Sequence, residues 1–343
     1  MPRKPSEQRF RIEDVAKAAG VSMKTVSRVL NNERSVRAST REHVLAVAAR
    51  MQYTPDRFAR SLAGNRSYLV GLVYDNPSAN YLMSVLTGVV TACRSHHYEM
   101  VVHPADPEEG AATAEIEALV EASKLDGLIL TPPFSDCEAL LERLDAARAP
   151  YACVSPRRRA DCIGVYLDEC NAAGDMMEHL IALGHTRIGH IKGRPSQGAT
   201  YWRLEGYRAA LQSAGLAFDP DLVVEGMFSF ECGRTGAERL LALPQPPTAI
   251  FAANDDMAAG AISVAHERGL SIPGDVSICG FDDSPASKQI FPALTTIHQP
   301  TEDMGRVATE QLLQRVRDAS AGALVRMPYS LVLRRSTGPA PAR

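Results

Sequence analysis

Between residues 11 and 53, small apolar residues recur at helical spacing in three short runs. Val15, Ala16 and Ala19 form the first stripe, and Gly20-Val21-Ser22 interrupts it. Val26, Val29 and Leu30 then continue the pattern on a second helix. Gly20 can adopt the positive φ of a sharp inter-helix turn, and the Ser22 hydroxyl can cap the helix that follows. Ala16 is small enough for the helices to cross closely, with Val21 and Val26 filling the angle between them. After a polar loop over 31–38, Ser39-Thr40-Arg41-Glu42 opens a third helix that buries Val44, Leu45, Ala48 and Met51. It ends near Tyr53, because Thr54 precedes Pro55 and avoids helical angles. The pattern predicts an all-α helix-turn-helix unit over 1–55, with its second helix exposed.

Beyond residue 67 the period changes. Strand-like runs at 68–73, 99–103, 127–130, 151–155, 164–167, 187–191, 249–252 and 276–280 alternate with helical stretches. The helices include 82–94, 112–122, 172–183, 202–214, 232–243 and 255–268. Such alternation builds parallel sheets wrapped by helices. More than 270 residues of it exceed one core, so two doubly wound lobes are expected.

Residues 56–64 form a two-turn, helix-compatible segment, below the roughly 12 residues an isolated helix needs. Leu62, with Ala63 beside it, stands between Arg60 and Arg66. An apolar wedge flanked by arginines can pry open a minor-groove base step; the plainer reading is a charged linker.

Charge separates the two parts. The net charge is −3, yet residues 1–67 hold 14 Lys and Arg against 6 Asp and Glu, a balance of +8, leaving −11 for the rest. A cationic head on an acidic body fits phosphate attraction confined to the N-terminus. On the second helix, Ser22, Thr25 and Ser27 suit phosphate oxygens, while Met23, Lys24 and Arg28, with Asn31 at the helix end, suit base edges. A surface helix that touches nothing is the alternative. The seven cysteines are scattered without a Cys-x-x-Cys pair, so neither a disulfide framework nor a zinc site is expected. No apolar run reaches membrane-span length and MPRKPSEQRF lacks a signal-peptide core, which points to the cytoplasm with no membrane partner.

Candidate ligand residues follow the expected strands: Asp75 and Asn76, Asp168 and Asn171, Asn254 and Asp255, Asp282 and Asp283, with Arg203 opening a helix. Tyr81 and Gln299 join them from neighbouring loops. Carboxylates, amides and a guanidinium converging near an aromatic ring suit a hydroxyl-rich ligand. For Asp168, Asp255 and Asp283, helix capping or turn stabilisation is an equal alternative. Adjacent Asp282 and Asp283 do not face each other across a substrate as a glycosidase pair would. Gly-x-Ser-x-Gly, phosphate-loop and zinc signatures are absent, so no enzyme, metal or cofactor is expected. A stand-alone sugar-binding protein would not need residues 1–66.

DVAKAAGVSMKTVSRVLNN, ARSLAG and SYLVGLV, followed in order by ALGHTRIGHIKG, WRLEGYRAAL, AIFAANDDMAAGAI, GFDDSPA and PALTTIHQP, resemble the lactose/galactose repressor family of bacterial transcription regulators. The resemblance covers nearly the whole chain. It implies a helix-turn-helix domain (1–55), a hinge helix (56–66) and a periplasmic-binding-protein-like, dimerising body (67–343). Crossovers near 184, 299 and 328 would assign 67–184 and 299–328 to one lobe, and 185–298 and 329–343 to the other. Arg203, Asn254 and Asp282 match the family's effector positions. Asn171 and Phe228 stand where the lactose repressor itself has aspartate and tryptophan, which leaves the ligand open. The expectation is a homodimer on double-stranded operator DNA, most simply a repressor of carbohydrate genes released by a sugar or sugar derivative. A regulator that needs a corepressor such as a nucleobase is the alternative. RRSTGPAPAR has no leucine heptad, so the tetramerising tail is not expected.

Overall fold

The computed structural model describes residues 10–30, 36–53, 66–105, 111–158 and 162–342. It divides into two units, Met1–Tyr68 and Leu69–Arg343. In the first, α1 (Ile12–Ala19) and α2 (Met23–Leu30) are joined at Gly20, whose φ of 64° is the left-handed value the turn needs. The Ser22 hydroxyl accepts from the Thr25 amide at 3.2 Å and starts α2. The third helix, α3 (Ala38–Arg50), closes a core of Val15, Ala16, Ala19, Val26, Val29, Val44, Val47 and Ala48. Leu45, expected inside, is 45 % exposed. It lies one residue off the i, i+3, i+4 stripe, and Val47 takes its place.

The second unit begins with β1 (Leu69–Tyr74), α4 (Ala79–Ser95), β2 (Glu99–Pro104), α5 (Ala111–Ser123) and β3 (Gly127–Leu130). It continues through α6 (Glu138–Ala146), β4 (Tyr151–Val154), β5 (Gly164–Leu167) and α7 (Glu169–Ala182). Next come β6 (Ile188–Lys192), α8 (Gly198–Ser213), β7 (Val223–Glu225), α9 (Phe230–Leu241), β8 (Ala249–Ala252), α10 (Asp255–Glu267) and β9 (Ser277–Cys279). The chain ends with α11 (Ala286–Gln289), β10 (Thr296–His298), α12 (Thr301–Arg317), β11 (Leu324–Met327) and β12 (Ser330–Val332). Two parallel sheets result, ordered β11-β5-β4-β3-β1-β2 and β7-β6-β8-β9, and β10 and β12 form an antiparallel ribbon. Each sheet belongs to one doubly wound lobe, as the alternating pattern requires.

Helix α12 packs on α4 and beneath β3, β4 and β5 of the first lobe. The chain thus re-enters that lobe between His298 and Thr301 and leaves it again after Met327. The first crossover falls elsewhere than at 184. Helix α7 packs against α8 and the ribbon of the second lobe, so the chain has already left the first lobe at Asp168. Its partner is contributed from beyond residue 197, which the local pattern of α7 does not reveal. Among the described residues no helix is long and apolar enough to cross a membrane.

Candidate functional site

The exposed face of α2 carries Ser22, Met23, Lys24 and Arg28, while Thr25 and Ser27 are half-buried. Ser22 and Thr25 share a hydroxyl hydrogen bond of 3.0 Å, so two of the three candidate phosphate ligands also hold the start of the helix. Asn31, Leu62 and Ala63 lie outside the described residues.

In the second unit, loops at the carboxyl ends of both sheets meet around a cavity of about 30 Å³. Such convergence is expected of doubly wound sheets. The cavity brings together Asn76, Tyr81, Arg203, Phe228, Asn254, Asp282 and Gln299 of the sequence candidates. Ser155, Glu169 and Gln197 also line it and were not among them. Glu169 directly follows a strand and its cap, and Gln197 directly precedes α8, so the same loop-after-strand logic reaches both positions.

Helix α8 starts four residues before the expected 202, which places Arg203 in its second turn rather than at its mouth. Its guanidinium is 4 % exposed and lies over the Phe281 ring, 3.6 Å from the centroid. Nη1 donates to the Ala253 carbonyl, and Nη2 stands 3.4 Å from Glu169 Oε1. Asp282 has φ 119°, a value uncommon for a residue with a side chain, and its carboxylate accepts from Gln299 Nε2 at 2.6 Å. Burial pushes the Asp282 carboxyl well up; Asp255 and Asp256 add to this, while Arg203 opposes it. Burial likewise raises the Tyr81 phenol, reinforced by Asp282 and Glu169. Phe228, at φ 62°, packs its ring on Gly193, where any Cβ would collide with it.

Asn254 has a second task. Its Oδ1 accepts from the Met257 amide at 2.9 Å, capping α10, and its Nδ2 donates to the Phe228 carbonyl at 3.0 Å. It therefore holds the aromatic wall in place. Asp75, Asp168 and Asn171 do not line the cavity. Asp75 forms an ion pair with Arg194 across the lobe junction. Asp168 caps α7, accepts from Asn171 Nδ2 at 3.0 Å and binds Arg326 Nη2 at 2.9 Å. Asn171 is exposed on the first turn of α7. For Asp255 and Asp283 the structural alternative describes the geometry. Asp255 accepts from Thr296 Oγ1 at 2.6 Å and the Ser284 amide at 2.7 Å, and Asp283 pairs with Arg334.

Among the described residues, several polar ties span the lobes, Asp168–Arg326 among them. Besides Asp75–Arg194, Asn80 Nδ2 reaches Asp256 at 3.3 Å. Asp136 of the first lobe accepts from the Gly198 amide, at the N-terminus of α8, at 2.7 Å, and from the Arg157 amide at 2.6 Å.

Burial raises the Asp255 carboxyl to about 7. The folded state therefore keeps a proton that the unfolded chain releases near the ordinary carboxylate value. This contribution to stability is full below about pH 4 and is lost as pH rises to about 7, at roughly 1.4 kcal/mol per pH unit. Wild-type protein should lose about 2–3 kcal/mol more stability than Asp255→Asn between pH 5 and pH 8. Urea unfolding at both pH values measures this, and parallel losses would contradict it.

Two such lobes around a buried polar cavity, joined in sequence to a helix-turn-helix unit, define a ligand-responsive DNA-binding transcription regulator. The family model for lacI-family bacterial regulatory proteins matches residues 11–56, and that for a periplasmic-binding-protein-like domain matches 177–337. The HTH-type transcriptional regulator DegA of Bacillus subtilis (strain 168) is 34% identical over 96% of this chain and 98% of its own length. A lac repressor dimer solved with operator and the anti-inducer ONPF superposes with a TM-score of 0.76, at 30% identity, covering 96% of this chain and 100% of that one. The transcriptional regulator CelR solved with cellobiose gives 0.73 at 29% identity, with the same coverages of 96% and 100%. The chain belongs to the lacI family of bacterial regulatory proteins.

Proposed function

We propose that the chain is a homodimeric repressor of carbohydrate-utilisation genes whose operator affinity is set by a small sugar-type effector bound between the lobes. The observation that carries this reading is a set of unsatisfied atoms. Arg203 Nε, Gln197 Nε2 and Gln299 Oε1 are buried on the cavity and have no partner, two of them donors and one an acceptor. Buried polar groups left alone are costly, so a ligand that answers both kinds is favoured. Each sugar hydroxyl both donates and accepts, and the Phe228 and Tyr81 rings offer faces to its apolar side. CelR, which binds cellobiose, supports the same class.

A cavity of about 30 Å³ holds the share of one water, whereas small-molecule sites run from roughly 300 Å³ upward. Effector entry therefore has to separate the lobes or displace the rings, and the Asp136–Gly198 and Asp75–Arg194 ties stand across that movement. A coupling of roughly 1–3 kcal/mol between cleft and DNA head changes affinity about 5- to 150-fold. The test is a thermal-shift screen of mono- and disaccharides beside nucleobases, followed by operator binding. A stabilising sugar should weaken operator binding, and its effect should vanish in Asp282→Ala while that variant still binds DNA. Stabilisation by nucleobases alone, with tighter DNA binding, would replace this reading with a corepressor mechanism; a tetramer by light scattering would overturn the dimer.

A further inference from the structure

The first lobe carries two thiols that the effector cleft does not use. Cys153 is fully buried on β4, and half-buried Cys162 lies just before β5. Strand pairing sets Cys153 opposite Gly164, and the Cys153 amide donates to the Ile163 carbonyl at 2.8 Å. Cys162, two residues before Gly164, packs against the buried cluster that contains Cys153, so both thiols lie in one core. Cys162 Sγ also stands 3.2 Å from the Ile163 carbonyl. Within this pair the neighbouring Cys153 side chain lowers the Cys162 thiol, while Cys162 and burial raise Cys153. A half-buried thiol that lines a groove, beside a fully buried one behind it, is the arrangement of an attacking and a resolving cysteine.

Access comes from a groove of about 950 Å³, bounded by Cys162, Tyr151 and Arg157 on one side and by Ser196, Tyr201 and Trp202 of the second lobe on the other. It shares no lining residue with the effector cavity.

We propose that Cys153 and Cys162 form an oxidant-reactive dithiol that a hydroperoxide entering this groove converts to an intramolecular disulfide. The Cys162 sulfur attacks the peroxide; an S–O bond forms, the O–O bond breaks, and the departing oxygen leaves as water or an alcohol with the Cys162 thiol proton. The Cys153 sulfur then attacks the Cys162 sulfur; the S–S bond forms, the S–O bond breaks, and the hydroxyl leaves as water with the Cys153 thiol proton. Two electrons pass from the dithiol to the peroxide, and no other reactant is consumed.

Full-length protein treated with hydrogen peroxide should lose two of its seven titratable thiols. Peptide mass spectrometry should find Cys153 linked to Cys162, reversibly with dithiothreitol. Emission of Trp202, the chain's single tryptophan, should shift in parallel, because it lines the facing wall. Cys162→Ser should abolish the link and the shift, and Cys153→Ser should leave a dimedone-reactive sulfenic acid at Cys162. Both thiols surviving peroxide, or Cys162 passing to the sulfinic acid in the wild type without a link, would overturn the proposal.

Discussion

Glu169→Ala should lower folding stability by about 3–5 kcal/mol, the cost of leaving a buried charge without its partner. Glu169 is 2 % exposed and Arg203 4 %, so neither can turn to solvent. Arg203 is also pinned by the Ala253 carbonyl and the Phe281 face, and it cannot follow an escape route if Glu169 is removed. The separation of 3.4 Å is long for a strong hydrogen bond, so the interaction is chiefly Coulombic. Asp282, whose carboxyl burial pushes well up while Arg203 opposes it, supplies a second effect. Once Glu169 is gone, the cation favours ionising Asp282, and the deficit should shrink as pH rises. The double variant Glu169→Ala/Arg203→Met removes both charges and should recover most of the loss, making it more stable than Glu169→Ala alone. Urea midpoints at constant m-value measure each step. Simple additivity of the two single changes would show that these side chains do not depend on each other.

The partition of roles at the cleft shows where sequence reasoning stops. A polar residue after a parallel strand is delivered to the carboxyl edge of its sheet, and this brought Asn76, Asn254 and Asp282 to the cavity, while Arg203 reaches it from the second turn of α8. Which way each side chain turns depends on partners from distant segments. Asp168 is drawn outward by Arg326, and Asp75 sideways by Arg194, neither of which is near it in the chain. Asn254 reaches the cavity but has both amide atoms engaged, because a residue preceding a helix is favoured to cap it. The helix-turn-helix core was legible because its contacts are local: seven of its eight buried residues, all but Val47, lie on the periodic stripes read from sequence. Conversely, the short strands β7, β10, β11 and β12 break their apolar runs with Glu225, with Thr296 and His298, with Arg326 and with Ser330, so no strand-like run stands out there. The expected place of α7 in the first lobe failed for the same reason as that of Asp75 in the cavity. Its packing partner is specified far from it in sequence.

Removing residues 1–68 should abolish duplex binding while leaving the melting transition and effector response of Leu69–Arg343 in place. Each unit has its own buried cluster: Val15 to Ala48 in the head, and two clusters centred on β3 and β8 in the body. The body folds around contacts that the head does not supply. It also carries the acidic share of the charge, −11 against +8 for residues 1–67, so without the head it repels phosphate. In the full chain, the logarithm of affinity should fall linearly with the logarithm of salt, with a slope near −0.9 per phosphate neutralised. Two substitutions on the exposed face of α2 then separate the kinds of contact. If Lys24 meets phosphate rather than a base edge, Lys24→Ala should weaken all duplexes alike and reduce the magnitude of the slope by about 1. Arg28→Ala should cost about 1–3 kcal/mol on the preferred duplex and relax the preference at one base pair, since a guanidinium can hold both O6 and N7 of guanine. A uniform loss from Arg28→Ala would demote it to a backbone contact. Sequence-preferring binding by Leu69–Arg343 alone would remove α2 from the mechanism altogether, because no other helix of the chain would then have to enter the groove from the cationic head.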